Sequence, residues 1–132
     1  MQRVGIIDDD DRVRFSVQML LEISGFEVET FASAEEFLAC QDFSRFACLI
    51  VDFRLPELSG LELLRILRRQ QVLTPALISS GFISESEAAE FVAAGAFDVL
   101  HKPVDPKQLV GTIRDIIARA GSLQNPPYSA AG

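Results

Sequence analysis

Five short apolar or β-branched runs punctuate the chain: Val4 to Ile7, Glu27 to Phe31, Cys48 to Val51, Ala76 to Ser79 and Phe97 to Leu100. Four are nearly continuous in apolar residues, the pattern of strands covered on both faces, whereas Glu27, Val28, Glu29 and Thr30 alternate as an edge strand does. Between the runs the period becomes helical. Val13, Val17, Leu20 and Leu21 form one apolar stripe, and Leu109, Ile113, Ile116 and Ile117 repeat its spacing near the end. In a third helix Glu62, Arg65 and Arg69 predict a polar stripe opposite Leu63, Ile66 and Leu67. Ala88, Phe91 and Val92 mark a shorter fourth.

Start and stop signals fit this frame. Ser33 with Glu36 and Ser84 with Glu87 have capping-box spacing, and Asp105 followed by Pro106 reads as an N-cap with proline at the first helical position. Gly25 and Gly95 fall where helices should stop. Strand and helix therefore alternate five times, which predicts right-handed crossovers and an α/β, doubly wound, five-stranded parallel sheet with helices on both faces. The expected domain covers residues 1–120. Residues 121–132, with Pro126 and Pro127 and no periodicity, are expected to be a flexible tail or the start of a linker.

Composition narrows the function. A chain of 132 residues suits one domain with a single core. Its net charge of -7 argues against a duplex phosphate partner, which needs a basic face. Cys40 and Cys48 lack metal-ligand spacing, and Cys48 sits in an apolar run where it serves as a small hydrophobe. The first residues enter a strand pattern with no room for a signal peptide, and no run reaches the roughly 18 apolar residues of a membrane span. A cytoplasmic protein without a membrane partner is the expectation.

The unusual polar residues all fall at the carboxyl ends of predicted strands, where open α/β sheets bind ligands. Strand one delivers Asp8 and Asp9, with Asp10 and Asp11 following; strand three Asp52; strand four Ser79 and Ser80; strand five His101 and Lys102. Each has an ordinary explanation. Asp9, Asp10 and Asp11 could cap the first helix, Asp52 could belong to a proline turn, Ser80 to a loop, and Lys102 to the solvated surface. Together they differ: converging carboxylates repel unless a cation sits among them, and an adjacent hydroxyl and amine suit magnesium-assisted phosphoryl transfer to a carboxylate. His101 reads as a partly covered surface side chain facing away from Lys102.

From about residue 3 to residue 119 the chain resembles the receiver domains of two-component response regulators, especially those of the FixJ type. The likeness lies in Ile6-Ile7-Asp8-Asp9-Asp10, Val51-Asp52-Phe53-Arg54-Leu55-Pro56 with Gly60, Ile78-Ser79-Ser80-Gly81, Ala94-Gly95-Ala96 and Lys102-Pro103. The resemblance implies a flavodoxin-like strand order of 2-1-3-4-5 and a cis bond before Pro103. It also implies that Asp52 accepts a phosphoryl group from a sensor histidine kinase. By the same resemblance Asp8, Asp9 and Asp52, with the backbone carbonyl of Arg54, would hold Mg²⁺, Asp9 being the better direct ligand. Ser80 would bind one phosphoryl oxygen and Lys102 another. Such a module is not a turnover enzyme: it promotes only its own phosphorylation and dephosphorylation. It signals through the surface of helix four, strand five and helix five to an effector domain or protein, and a phosphorylation-dependent homodimer is a further expected partner state.

Two positions depart from that pattern. Val99 stands where receivers commonly place Tyr or Phe, so the usual aromatic flip cannot report phosphorylation, although Phe97 could substitute in part. Ser80 replaces the commoner threonine and keeps its hydroxyl. Arg54 and Phe82 should flank the path of attacking water and slow phosphoryl loss. The loop from Ser80 to Ser84 should carry the change outward, with Phe82 and Ile83 as partner contacts. Three rivals compete with this reading: a flavin-binding flavodoxin-like module, a haloacid dehalogenase-type phosphatase and a pseudo-receiver that acts without phosphorylation. The first turn has aspartates instead of phosphate-cradling small residues, and Arg54 occupies the place of the phosphatase's second aspartate. The pseudo-receiver stays as the alternative.

Overall fold

A computed structural model describes residues 2–124, without the side chains of 121–124. Its elements run β1 (Arg3–Ile7), α1 (Asp11–Ile23), β2 (Glu27–Phe31), α2 (Ala34–Leu38), a 3₁₀ turn (Phe43–Arg45), β3 (Cys48–Asp52), α3 (Gly60–Arg69), β4 (Ala76–Ser80), α4 (Glu85–Ala93), β5 (Asp98–His101) and α5 (Pro106–Gln124). The strands form one parallel sheet in the order β2-β1-β3-β4-β5. This is the doubly wound α/β architecture that the alternating periods imply. α5 continues to Gln124, four residues into the segment expected to be a tail or linker. The remainder of the segment read as a tail, residues 125–132, lies outside the described residues.

The two-residue period of the central strands sorts their side chains onto two faces. Ile7, Leu49, Val51, Ala76 and Ile78 join Phe37 of α2, Leu63, Leu64 and Leu67 of α3 and Phe91 of α4. Val4, Ile6, Cys48, Ile50 and Leu77 join Leu21 of α1 and Leu109, Ile113 and Ile116 of α5. Cys48 behaves as the expected small hydrophobe; burial pushes its thiol up to about 12. β2 is an edge, and Arg3 and Arg45 pair with Glu27 and Glu29 along it.

Three details differ from the expected pattern. β5 is the other edge and begins at Asp98, so Phe97 stands before it, 37% exposed, with the Arg119 guanidinium 5.5 Å from its ring centroid. It belongs to neither core and cannot stand in for an aromatic at Val99. In α3 the buried side chain beside Leu63 and Leu67 is Leu64, with Ile66 only half-buried; in α4 Phe91 is buried while Val92 is 58% exposed. One residue is a 100° rotation on a helix, so an apolar neighbour in sequence easily falls on the wrong side.

The helix ends follow local chemistry. Asp10, not Asp9 or Asp11, is the N-cap of α1, accepting from the amides of Arg12 and Val13. Ser84 and Glu87 complete a reciprocal capping box, as do Ser59 and Glu62 at the same spacing. Ser33 caps α2, but Glu36 reaches back to the amide of Ala32 instead of to Ser33. Asp105 accepts from the Gln108 amide at the start of α5. Gly25 (φ 98°) and Gly95 (φ 100°) end α1 and α4 in the left-handed region that favours glycine.

Candidate functional site

The site lies where β1, β3 and β5 deliver polar residues to one rim. β1 leads into Asp8, whose amide donates to the Phe31 carbonyl at 3.1 Å, so the sheet's pairing extends one residue and fixes the turn. Asp52 is the last residue of β3 and pairs in register with Ser79 of β4. The Phe53 amide donates to the Ser79 carbonyl at 2.8 Å, holding the exit from β3. A Cβ at Gly60 would lie 2.7 Å from the Asp52 carbonyl, so only glycine lets α3 start this close to the strand end. The Lys102 amide donates to the Ser80 carbonyl at 2.7 Å, and the Lys102–Pro103 bond is cis.

Asp8, Asp9 and Asp52 each offer a carboxylate oxygen, and these oxygens all lie within 4.8 Å of one another. Asp8 and Asp52 are buried, the latter 7% exposed, while Asp9 is open to solvent. Lys102 Nζ donates to Asp52 Oδ1 at 2.9 Å and to Asp8 Oδ2 at 3.4 Å. Burial pushes the Asp52 carboxyl above the usual carboxylate range; the Lys102 hydrogen bond opposes this, and the charges of Asp8 and Asp9 add to it. Burial pulls the Lys102 ammonium down, but its bonds to Asp52 and Asp8 outweigh that and leave it raised. One ammonium thus faces three carboxylates. Hard oxygen donors with excess negative charge are the donor set for a divalent cation of the magnesium class, so this acidic pocket can hold a metal ion.

The remaining predicted residues are placed differently. Ser80 is buried, and its hydroxyl donates to the Phe82 carbonyl at 2.9 Å and accepts from the Phe82 amide at 3.2 Å. It is engaged in its own loop rather than with Asp52. Arg54 is exposed, its guanidinium 5.2 Å from the Phe53 ring centroid. Phe82 is 73% exposed and Ile83 is half-buried against the core, so only the former is free to meet a partner. His101 is exposed, opposite in strand direction to Leu100 of the core.

Two supporting residues escaped the sequence reading. Arg14 Nη1 donates to the main-chain carbonyl of Asp8 at 2.7 Å, while Nη2 pairs with the Asp11 carboxylate. The three-residue spacing from Asp11 to Arg14 on α1 was the available signal. Glu35 of α2 accepts from the Leu58 amide at 3.2 Å, pinning the loop that follows Asp52; no local pattern announces that contact across the chain.

The family model for the response regulator receiver domain matches residues 4–114. The chain is 37% identical over 115 residues to the transcriptional regulatory protein FixJ of Bradyrhizobium diazoefficiens, covering 87% of this chain and 56% of that protein. It is 38% identical over 109 residues to the response regulator protein TodT of Pseudomonas putida, covering 83% and 48%. The chain therefore spans about half the length of these relatives. Among solved structures, a response regulator receiver domain protein from Clostridium thermocellum superposes with a TM-score of 0.86 at 29% identity, covering 93% of this chain and 99% of that one. A CheY-like receiver domain protein from Methanospirillum hungatei gives 0.84 at 30% identity, covering 90% and 95%.

Proposed function

This chain belongs to the response regulator receiver domain family of two-component signalling, and from that premise we propose that Asp52 is its phospho-acceptor. The observation that carries the reading is the Lys102 ammonium 2.9 Å from Asp52 Oδ1, beside two further carboxylates. An Asp52 oxygen attacks the phosphorus of a kinase phosphohistidine; the P–N bond breaks, the imidazole nitrogen keeps the electron pair, and an acyl phosphate remains on Asp52. Lys102 neutralises a phosphoryl oxygen during transfer. Asp8, Asp9 and Asp52, with the main-chain carbonyl of Arg54, would hold Mg²⁺, which supplies charge neutralisation for the remaining oxygens. Arg14, by holding the Asp8 main chain, keeps the acidic turn oriented.

The Ser80 hydroxyl must leave Phe82 to bind the phosphoryl group, and that exchange releases the loop leading to α4. The signal then passes through the loop between β4 and α4, where Phe82 is exposed, to the surface of α4, β5 and α5. With Val99 unable to act as a flipping aromatic, the loop itself carries the change. A longer protein bearing this receiver would pass the signal to an effector domain in the cytoplasm, directly or through a phosphorylation-dependent dimer. A pseudo-receiver has only Val99 in its favour, and the Asp52–Lys102 pairing against it.

Incubation with Mg²⁺ and acetyl phosphate tests the assignment by intact mass. The parent gains one phosphoryl group; Asp52→Asn and the parent in excess chelator do not. Equal phosphorylation of Asp52→Asn, or none in the parent, overturns it. Arg54→Ala and Phe82→Ala should each shorten the phosphoryl lifetime, followed as the decay of that added mass.

A further inference from the structure

On the sheet face covered by α1 and α5 lies a cleft of about 570 Å³, within the size range of small-molecule sites. Ile6 and Leu77 form its floor, Val17 and Leu20 its α1 wall, Val104 and Leu109 its α5 side. The α1 residues are only half-buried because the opposite wall stands off from them. The polar part of the lining gathers toward the carboxyl end of the strands, with Asp8, Arg12, Ser79 and Lys102.

Two features there call for a ligand with a polar head. Ser79 lines the cleft, and its hydroxyl, which has no hydrogen-bond partner among the described residues, is accessible there and not sealed in the core. Charge is the second feature: in a chain of net charge -7 the lining holds two cations, Arg12 and Lys102, against one anion, Asp8. Both side-chain oxygens of Asp8 are already engaged, by the Asp10 amide and by Lys102. Arg12 has no ion-pair partner among the described residues, which leaves its guanidinium available at the rim.

The geometry points to a binding site for a small amphipathic carboxylate, its apolar body between α1 and α5 and its head at Arg12 and Ser79. The apolar walls supply burial of the body, and the guanidinium and hydroxyl supply charge-assisted hydrogen bonds to the head. The cleft shares Asp8 and Lys102 with the acidic rim, but Asp52 is not part of its lining and the proposed head contacts are Arg12 and Ser79, so the assignment does not depend on the phospho-acceptor reading.

Octanoate, octan-1-ol and octylammonium, titrated separately into the ¹⁵N-labelled full chain without Mg²⁺, test it. Octanoate should shift amide signals of α1, α5 and Ser79 and bind about tenfold more tightly than octan-1-ol, the worth of one charge-assisted hydrogen bond. Arg12→Gln should bring octanoate down to the octan-1-ol level. Val17→Phe, which fills the cleft, should abolish binding of both; Ser16→Phe, at an exposed position on the same wall, should do so without touching the core. Octan-1-ol or octylammonium binding as tightly as octanoate, shifts confined to other regions, or unchanged binding in a folded cleft-filled variant would each overturn the assignment.

Discussion

The two faces of the sheet are built from the same strands but packed to different ends. On the α2–α4 face, Phe31, Phe37, Phe43 and Phe46 form a cluster with Phe37 at its centre, 5.1, 5.1 and 5.7 Å from the others. Gly5 makes room for it, since a Cβ there would meet Phe46 at 3.2 Å and Leu49 at 2.8 Å. On the α1 and α5 face the core is aliphatic, has Phe26 as its one aromatic member among the described residues, and opens into the cleft. Edge-on and tilted aromatic contacts fill space and fix neighbours. The lesson is that one face is a foundation for the loops carrying Asp52 and Ser80, while the other trades packing for space beside the same rim.

Core truncations test that contrast most severely. Phe37→Ala should cost about 3 to 5 kcal/mol, because a fully buried ring touching three others leaves a cavity its neighbours cannot close. Leu20→Ala, beside existing space, should cost about 1 kcal/mol. Urea denaturation followed by circular dichroism measures both. Equal losses would mean that the cleft is closed in solution and the faces are alike.

The rim that joins the faces gives a second, smaller effect of opposite sign. Asp52→Asn should stabilise the metal-free protein by about 1 to 2 kcal/mol at neutral pH, since it removes one of three crowded carboxylates while Lys102 keeps Asp8. The pH dependence follows from burial and the neighbouring acids raising the Asp52 carboxyl. Its folded form holds a proton that the unfolded chain has already lost, so the native state loses stability as pH rises from the ordinary aspartate value, about 4, through the raised one. Urea midpoints of parent and variant should therefore converge toward acid pH and separate toward neutrality. Mg²⁺ should raise the parent's midpoint more than the variant's. A variant less stable than the parent at neutral pH without metal would show that pairing with Lys102 outweighs the crowding.

What could be read beforehand divides along the same lines. Period and caps are local, so the strands, the edge position of β2 and the collection of Asp8, Asp9, Asp52 and Lys102 at one rim were legible. Orientation within an element was less so: Val92 sits one residue from Phe91 and faces out, and Phe97 completes an apolar run yet precedes β5. The Ser80 hydroxyl's bonds to Phe82 depend on one rotamer, which composition does not encode. A cleft is missing volume between two helices, and neither helix's stripe reports how far it stands from the other.

The smallest expected effect lies in how the helices end. α1, α3 and α4 close with the same pair of hydrogen bonds: Gly25 to Glu22 and Phe26 to Leu21, Gln71 to Arg68 and Val72 to Leu67, Gly95 to Val92 and Ala96 to Phe91. In each the residue after the cap is positive in φ, and in each an apolar residue follows to meet the last turn. α1 and α4 use glycine, but α3, on the densely packed face, uses Gln71 at φ 64°. A side chain in that region carries a steric cost that glycine avoids. The Arg68 side chain, bonded to the carbonyls of Val72 and Gly95 at 2.7 and 2.9 Å, keeps this end in place and ties it to α4. Gln71→Gly should therefore stabilise by about 0.5 to 1 kcal/mol, the relieved strain exceeding the entropy that glycine adds to the unfolded chain. Gly95→Ala should do the reverse and by more, because its Cβ would also meet Arg68 Nε at 2.8 Å. Thermal denaturation of the two single variants reads both signs. A destabilised Gln71→Gly would mean that the glutamine side chain makes a contribution at this helix end larger than the strain it bears.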